Sequence, residues 1–302
     1  MKPFVVGIDA GGTHVRVQYA DAVTGRLVRE TLGFRASASG EPPHGMDLPS
    51  HPVSSVCAGI TKITRAGIAE SWEQFLRTQF PDAHIAVVPD YVIAFHAALP
   101  EGNGVVIIAG TGSVAYGENG RTEKSARCGG RGWEWGDEGS GAWLTTEMVR
   151  RTLRALDEQA SPTTLTRAVC EELGTMDAAT LAAEARRRVN EDGGTGRGFL
   201  VPLLVRVKES GDGEAQGLFI GAGGWLASLA TATANRLGFA GDESVTFATS
   251  GGVWKAGGKT LEQGFLQALK RRFHNPIPCF EEPSPIEGAT RLAFKSQVKR
   301  SE

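Results

Sequence analysis

Two glycine turns in this chain have the residue types that bind phosphate. GGT at residues 11–13 and GTGS at residues 110–113 each follow a short apolar run that indicates a buried strand. Glycine permits positive φ and lets a ligand approach the backbone, so the N–H groups of such a turn can surround a phosphate. An ordinary tight hairpin has the same pattern. Each turn taken alone is therefore compatible with phosphate binding or with a purely structural role.

Carboxylates stand beside the first turn and at one further strand end. Asp9 closes the apolar run before the first turn, and Asp90 lies between the apolar run 85–88 and a helical stretch at residues 91–99. The carboxyl ends of strands in open α/β sheets are where ligands bind, although an Asp before a helix can also serve as an N-cap. The position of Asp90 alone favours neither role.

Residues 128–142, CGGRGWEWGDEGSGA, contain a further candidate site. Glycine occupies six of these fifteen positions, which no helix or ordinary strand tolerates. Arg131, Asp137 and Glu138 are interleaved with two tryptophans in the same segment. A purely structural glycine loop has no need of charges so close together. The composition therefore predicts a folded loop that holds a polar ligand against its backbone.

The elements that carry the two turns form a sequence repeat. Residues 5–17 and 105–117 both read as strand, glycine turn and strand, and they match at an offset of 100 residues. A repeat at that spacing indicates two similar domains. The second copy has Ala109 where the first has Asp9. Two such turns facing across a cleft could hold one polyphosphate, and two unrelated hairpins are the alternative.

Periodicity and turn signals give a coarse map of the rest of the chain. Strands are predicted at residues 4–9, 15–20, 27–31, 54–57, 85–88, 105–108 and 245–248, with another starting at residue 114. Helices are predicted at residues 71–80, 91–99, 142–156, 161–173, 177–189, 198–208, 214–237, 259–272 and 284–292. Residues 33–52 contain four prolines and no helical period, which predicts a loop. A third glycine turn at residues 250–252 follows the last strand.

Length, charge and cysteine usage limit the class of protein. The chain has 302 residues, more than one domain usually has, which also predicts two domains. Its net charge of −2 gives no basic field for a nucleic acid or a membrane surface, and we expect no apolar run long enough to span a bilayer. The four cysteines are far apart and lack metal-ligand spacing. We expect free thiols in a cytoplasmic protein without a nucleic-acid or membrane partner.

Seven motifs, taken in chain order, resemble the sugar kinases of the actin/Hsp70/hexokinase superfamily, and more narrowly the N-acetylglucosamine kinase and BadF/BadG/BcrA/BcrD ATPase family. They are GIDAGGTHVRV at 7–17, CAG at 57–59, PD at 89–90, VVIIAGTGSVAYG at 105–117, GGRGWEWGDEGSGAWL at 129–144, SGGV at 250–253 and SPIEGA at 284–289. The resemblance implies an α/β protein of two actin-like (ribonuclease H-like) domains with a nucleotide cleft between them. The N-terminal domain would be residues 1–104 joined by a C-terminal helix at 284–296, and the C-terminal domain would be residues 105–283.

The resemblance also implies roles for individual residues. The residues that would contact the nucleotide are Gly11, Gly12, Thr13, Gly110, Thr111, Gly112, Ser113, Gly251 and Gly252. Asp9 would bind Mg²⁺ through water, and Asp90 would be the catalytic base beside the sugar. The other residues that would lie at the sugar are Gly130, Arg131, Asp137 and Glu138. Arg131 is predicted to point into the cleft, with a surface ion pair to Glu134 or Glu138 as the alternative.

The implied function is ATP- and Mg²⁺-dependent phosphorylation of a hexose or amino sugar on its 6-hydroxyl, with N-acetylglucosamine or glucosamine favoured. We further expect a homodimer. A broad-specificity hexokinase is an alternative, because the GGRGW form of the loop is similar to such enzymes from archaea. Two others are an ATPase switch of the BadF type, which would activate a dehydratase, and a catalytically silent sugar-binding regulator.

Residues 33–52 depart from the family pattern. The family usually has a loop with a sugar-binding Asn followed by a full helix at this place, whereas this segment is short and contains no Asn. We expect the segment to form one wall of the acceptor site instead. Its polar candidates are Arg35, Ser37, Ser39 and Glu41. The identity of the sugar therefore stays open.

Overall fold

Two five-stranded sheets of the same design form the framework of the chain. The computed structural model describes residues 3–12, 14–28, 32–46, 48 and 51–301, with backbone only for residues 192–195 and 298–301. The chain divides into two units. Met1–Gly102 and Glu282–Glu302 form the N-terminal unit, and Asn103–Glu281 forms the C-terminal unit.

The structure gives the following bounds for the regular elements. The strands are β1 (Phe4–Ala10), β2 (His14–Asp21), β3 (Leu32–Arg35), β4 (Val53–Ile60), β5 (His84–Pro89), β6 (Asn103–Ala109), β7 (Ser113–Asn119), β8 (Lys124–Gly129), β9 (Val245–Ser250) and β10 (Pro276–Cys279). The helices are α1 (Ile68–Gln79), α2 (Asp90–Ala98), α3 (Gly141–Leu156), α4 (Thr164–Leu173), α5 (Ala178–Asn190), α6 (Val201–Glu209), α7 (Gly213–Arg236), α8 (Gly252–Gly257), α9 (Lys259–Leu269) and α10 (Pro285–Ser301). A 3₁₀ helix spans Glu191–Gly198.

The sheet of the N-terminal unit has the strand order β3-β2-β1-β4-β5. The first three strands form an antiparallel meander, and β1, β4 and β5 run parallel. Strands covered on both faces need near-continuous apolar sequence, and β1 (FVVGIDA) and β4 (VSSVCAGI) are buried along almost their whole length. Because parallel strands end at the same edge of a sheet, the carboxyl ends of β1, β4 and β5 lie side by side.

The sheet of the C-terminal unit repeats this arrangement with the order β10-β9-β6-β7-β8. The meander is formed by β6, β7 and β8, and β6, β9 and β10 are parallel. Strand β6 thus takes the place that β1 has in the other unit, and the turn after β6 takes the place of the turn after β1. The sequence repeat and the predicted α/β class with two similar domains are confirmed.

The start of the strand predicted at residues 27–31 is wrong, since the described residues Leu27 and Val28 belong to no strand. Leu27 makes an isolated bridge to Ala20, and β3 pairs with β2 from Leu32 to Arg35. The Asp21 carboxylate accepts hydrogen bonds from the backbone N–H groups of Val23 and Thr24, which tightens the turn after β2. The predicted loop at residues 33–52 therefore begins later, since its first residues belong to β3. Residues 29–31 lie outside the described part of the chain.

Other departures concern edge strands and helix starts in the C-terminal unit. Strands β8 and β10 were not predicted, because β8 (KSARCG) is polar and β10 (PIPC) contains two prolines. Both are edge strands, where proline is tolerated because one side of the strand makes no ladder bonds. The 3₁₀ helix was not predicted, and α4 begins after a capping box at Thr163 rather than at Ser161.

The longest helix, α7, lies in the core of the C-terminal unit. By length and composition alone it could cross a membrane, since an 18-residue window has a mean hydropathy of 1.3. The expectation that no apolar run reaches that length was therefore wrong. Half of that window is buried inside the unit, where Leu218, Phe219 and Leu226 are fully buried. These contacts are those of a core helix.

The C-terminal helix α10 packs on the sheet of the N-terminal unit. Ala289 and Ala293 join a buried cluster with Val5, Cys57 and Ile93. The helix comes close because Gly7 has no side chain, and a Cβ added there would lie 2.3 Å from Thr290 Oγ1. The last described helix thus completes the core of the unit in which the chain begins.

Candidate active site

The carboxyl edge of the N-terminal sheet brings together Asp9 and Asp90. In the strand register Asp9 of β1 lies opposite Gly59 of β4, which in turn lies opposite Val88 of β5. Asp90 follows two residues after Val88, as the first residue of α2. One strand separates β1 from β5, so the two carboxylate-bearing backbones lie roughly 10 Å apart, two strand spacings.

Asp9 is a buried carboxylate paired with a cation. It is 8% exposed, and Arg16, its cross-strand neighbour on β2, donates a hydrogen bond to its Oδ2 at 2.5 Å. Burial raises the pKa of Asp9 above its ordinary value, and the Arg16 guanidinium acts against this rise. Sequence reasoning missed Arg16, although its position opposite Asp9 could have been read from the predicted hairpin.

Asp90 is placed by the junction of β5 and α2. The helix is capped by Pro89, which has extended backbone and makes no side-chain capping bond, so Asp90 itself is not the N-cap. A carboxylate in the first turn is favoured by the helix dipole. Gly59 on β4 allows α2 to approach the sheet, because a Cβ there would lie 2.3 Å from Ile93 Cδ1. The half-buried Asp90 is therefore held on a firmly packed helix start.

The first glycine turn joins β1 to β2 directly after Asp9. The Gly11 N–H donates to His14 O at 3.0 Å, which closes the turn, and Gly12 is exposed. A substituent at Gly12 would meet nothing within 4 Å. The predicted contact residue Thr13 lies outside the described residues. The N-terminal unit thus presents accessible turn backbone next to Asp9.

The second glycine turn, residues 110–113, is bonded to the glycine-rich loop at residues 128–142 along its whole length. Four hydrogen bonds join the two segments: Gly130 N to Ser113 O (2.8 Å), Ser113 Oγ to Glu138 O (2.8 Å), Gly141 N to Gly110 O (2.8 Å) and Ala142 N to Thr111 O (3.1 Å). Thr111 at the tip is exposed, whereas Ser113 is 2% exposed. The turn is therefore a rigid feature with an accessible tip.

The third glycine turn lies against the second. Gly251 has φ 105°, which only glycine adopts readily, and a Cβ there would lie 2.5 Å from Ala109 O. This contact follows from the register, because Ser250 of β9 is paired with Ile108 of β6. Gly252 is exposed at the next position. The structure thus brings Gly251 next to the Gly110–Ser113 turn in the C-terminal unit.

The glycine-rich loop has one buried and one exposed charge among its predicted site residues. Asp137 is 8% exposed, with φ 61°. Burial raises its pKa, while hydrogen bonds from the backbone N–H groups of Ser113 and Gly132 act in the opposite direction. Arg131 is exposed. Gly130 and Glu138 contact the second turn through backbone atoms.

Arg197, from the 3₁₀ helix, is a site residue that sequence reasoning missed. Its guanidinium stacks on the Trp133 ring at 5.1 Å, and its charge offsets a small part of the rise that burial causes in the pKa of Asp137. Its buried Nε has no hydrogen-bond partner in the described residues. Nothing in the stretch GGTGRGF signals such a role, because the tertiary fold alone brings it to the loop.

Metal binding at this site would depend on Asp9. In the described part of the chain no group of three His, Cys, Asp or Glu side chains could hold a metal ion. Mg²⁺ commonly uses one or two carboxylates together with phosphate oxygens and its own waters. A single buried carboxylate beside an exposed glycine turn fits that mode of binding. The four cysteines are free, and Cys57, Cys128 and Cys170 are buried.

This chain is similar to known proteins over most of its length. A family model described as the BadF/BadG/BcrA/BcrD ATPase family matches residues 6–290. An N-acetylmuramic acid/N-acetylglucosamine kinase of Clostridium acetobutylicum is 29% identical over 54% of this chain, and the match spans only 57% of that relative. An N-acetyl-D-glucosamine kinase of Dictyostelium discoideum is 26% identical over 98% of this chain and 99% of that protein.

A solved structure has the same fold. A candidate N-acetylglucosamine kinase from Chromobacterium violaceum superimposes with a TM-score of 0.70 at 22% sequence identity. The alignment covers 97% of this chain and 99% of the other. At that identity the likeness establishes the fold and nothing finer.

Proposed function

Since this chain belongs to the BadF/BadG/BcrA/BcrD ATPase family, we propose that it is an ATP-dependent kinase that phosphorylates an amino sugar or hexose, with N-acetylglucosamine or glucosamine favoured, on the 6-hydroxyl. The observation that carries the proposal is the pair of carboxylates, Asp9 and Asp90, at one edge of the N-terminal sheet. Asp9 stands beside a phosphate-type turn, and Asp90 stands where an acceptor could be bound. The name of the relative that aligns over its full length supports a sugar as the acceptor.

Phosphoryl transfer needs positioning and charge stabilisation more than covalent chemistry. The exposed backbone at Gly12 and Thr111 would bind the phosphates of ATP, because the N–H groups of Gly11 and Gly110 are bonded within their own turns. Gly251 and Gly252 would contact the nucleoside. Asp90 would orient the acceptor hydroxyl and take its proton. Gly130, Asp137 and Glu138 would bind sugar hydroxyls, and Arg131 is a further candidate contact. Asp9 would hold Mg²⁺ through its waters, and the ion would supply positive charge to the phosphates.

Measurement of ADP release by the purified protein tests this proposal. The assay uses a panel of hexoses and amino sugars, each with ATP, and a control without sugar. Sugar-dependent ADP release is the expected result. ADP release that does not depend on sugar would support an ATPase switch, and no turnover with any sugar would support a silent regulator. Either outcome contradicts the proposal. We further propose that the enzyme is a homodimer and is cytoplasmic.

The same panel is expected to show modest selectivity at the sugar 2-position. Residues 33–52 contain no Asn or Gln, and Ser37, Ser39 and Glu41 hydrogen-bond to one another. A pocket that fits a substituent without bonding it discriminates by roughly 10- to 200-fold, whereas one that bonds it reaches about 10⁴ to 10⁵. We expect kcat/KM ratios in the lower range. A preference of several orders of magnitude would mean that another segment recognises that position.

Asp9→Asn is expected to lower kcat by about 10- to 100-fold, the usual effect of changing a group that acts on a metal through its bound waters. A carboxylate is also a better partner than an amide for those waters. Turnover is measured across a magnesium titration, and the variant should need more Mg²⁺. Asp82→Asn, an exposed change in the same unit, is the control. Unaltered turnover and magnesium dependence would assign Asp9 a structural role with Arg16.

A further inference from the structure

The buried carboxylate of Asp137 lies in the contact between the second glycine turn and the glycine-rich loop. A Cβ added at Gly112 would lie 2.7 Å from Asp137 Oδ2, so the carboxylate packs directly on the turn backbone. The backbone N–H groups of Ser113 in the turn and of Gly132 in its own loop act on this carboxylate and lower its pKa against the effect of burial. The loop is thereby tied to the turn through one ionisable group.

The surroundings of Asp137 hold it in this position. The Asp137 carbonyl accepts the Ser140 N–H at 3.1 Å, and Ser140 caps α3 through a bond to the Trp143 N–H. Asn and Asp tolerate the left-handed backbone that position 137 adopts better than most residues do. Arg197 offsets part of the cost of burying the charge. A buried carboxylate with these partners is costly to lose, because the N–H groups it serves would be left without an acceptor.

We propose that Asp137 is a positioning residue for the second phosphate turn, so that the loop assigned to the acceptor sugar also sets the geometry of the turn assigned to ATP. The identity of the two ligands rests on the proposed function. A carboxylate offers about four lone-pair sites, so its contact with the turn leaves capacity for a sugar hydroxyl. Asp137 then links the two substrates, and sugar binding and nucleotide binding influence each other reciprocally.

The test is nucleotide binding in the absence of sugar. A non-hydrolysable ATP analogue is titrated by calorimetry into the full chain, its Asp137→Asn variant and a Glu134→Gln control. Glu134 is an exposed acid of the same loop. We expect the Asp137→Asn variant to bind the analogue about tenfold more weakly or worse, the usual scale for one hydrogen bond to a charged group. The control is expected to bind as the unchanged chain does. Far-UV circular dichroism establishes that each variant is folded.

A different result is expected if Asp137 binds only the sugar and does not position the turn. In that case Asp137→Asn would raise the sugar KM and leave sugar-free binding of the analogue unchanged, and this would overturn the proposal. If Asp137→Asn does not fold, Ser113→Ala replaces it. The Ser113 hydroxyl is buried and donates to Glu138 O, so it cannot reach a ligand. Weaker sugar-free binding by Ser113→Ala supports the coupling of loop and turn, and unchanged binding contradicts it.

This experiment also separates the inference from the proposed function. If the unchanged chain binds the analogue but transfers phosphate to no sugar, the assignment as a sugar kinase fails. The comparison of analogue binding between the variants still decides whether Asp137 positions the turn.

Discussion

Asp90→Asn is expected to reduce phosphoryl transfer by about 10²- to 10⁴-fold, the range for loss of a general base. The amide keeps the size of the side chain but cannot accept the proton of the acceptor hydroxyl. Asp90 is also the first residue of α2 and not its cap, so the helix should form normally in the variant. Binding of ATP should change little, because the glycine turns assigned to the phosphates are untouched.

For the Asp90→Asn variant, turnover and nucleotide binding are measured separately. Rates of ADP formation at saturating sugar are compared with the affinity for a non-hydrolysable ATP analogue. Asp82→Asn, the same chemical change at an exposed position before β5, is the matched control and should be neutral. If the Asn variant has near-normal turnover, Asp90 is not the general base of the reaction.

Gly288→Ala is expected to destabilise the N-terminal unit and to lower turnover. A Cβ at this buried position of α10 would lie 1.9 Å from Ile93 O and 2.7 Å from Ala97 N, both backbone atoms of α2. Backbone cannot move aside as a side chain can, so the two helices must separate. Overpacking of this kind typically costs about 1–3 kcal/mol, occasionally more. Because α2 begins with Asp90, a shift of about 1 Å could also cost about 100-fold in rate.

Measurements of thermal unfolding and of turnover test the expected effect of Gly288→Ala. Gly217→Ala is the control, since Gly217 lies in α7 with nothing within 4 Å of an added Cβ. The same substitution there should stabilise the protein by about 0.5–1 kcal/mol, the helix preference for Ala over Gly. If Gly288→Ala and the unchanged chain have equal melting temperatures, α10 does not pack against α2 as closely as it does in the structure.

The sequence predicted the framework of the site because its signals are local. Glycine turns after apolar strands at residues 11–13 and 110–113 specify hairpins through backbone sterics, and the register then fixes where Asp9 lies. Asp90 was found for the same reason, since a strand followed by a helix defines a sheet edge. The α/β class and the repeated sheet design follow from the same local patterns.

The features that the sequence did not reveal depend on tertiary packing. The stack of Arg197 on Trp133 joins residues from two different elements, and no short-range pattern encodes it. The edge strand β10 escaped prediction because its prolines argue against a strand unless the strand has only one neighbour. Asp137 was predicted as a polar site residue, but its contact with the turn backbone at Gly112 arises only when the loop has folded.

The segment assigned to the acceptor wall illustrates the same limit. Its composition predicted a loop, and beyond β3 the described residues before β4 contain neither helix nor strand. Yet Met46 and Leu48 are buried in the core of the N-terminal unit, and Trp72 Nε1 donates to Gly40 O at 2.9 Å. The prolines and polar residues around them give no sequence signal for these buried contacts. Whether the segment lines an acceptor site stays a prediction.

The docking of α10 on the N-terminal sheet has a consequence for the order of events during synthesis. A ribosome makes residues 103–281 after the first sheet is complete and before α10 exists, which takes roughly ten to forty seconds at about 5–20 residues per second. Throughout that interval the buried cluster of Val5, Cys57 and Ile93 lacks the alanines that cover it. The C-terminal unit is continuous in sequence. The C-terminal unit can therefore begin to fold during synthesis from its own residues, whereas the N-terminal unit, although it emerges first, must wait for α10.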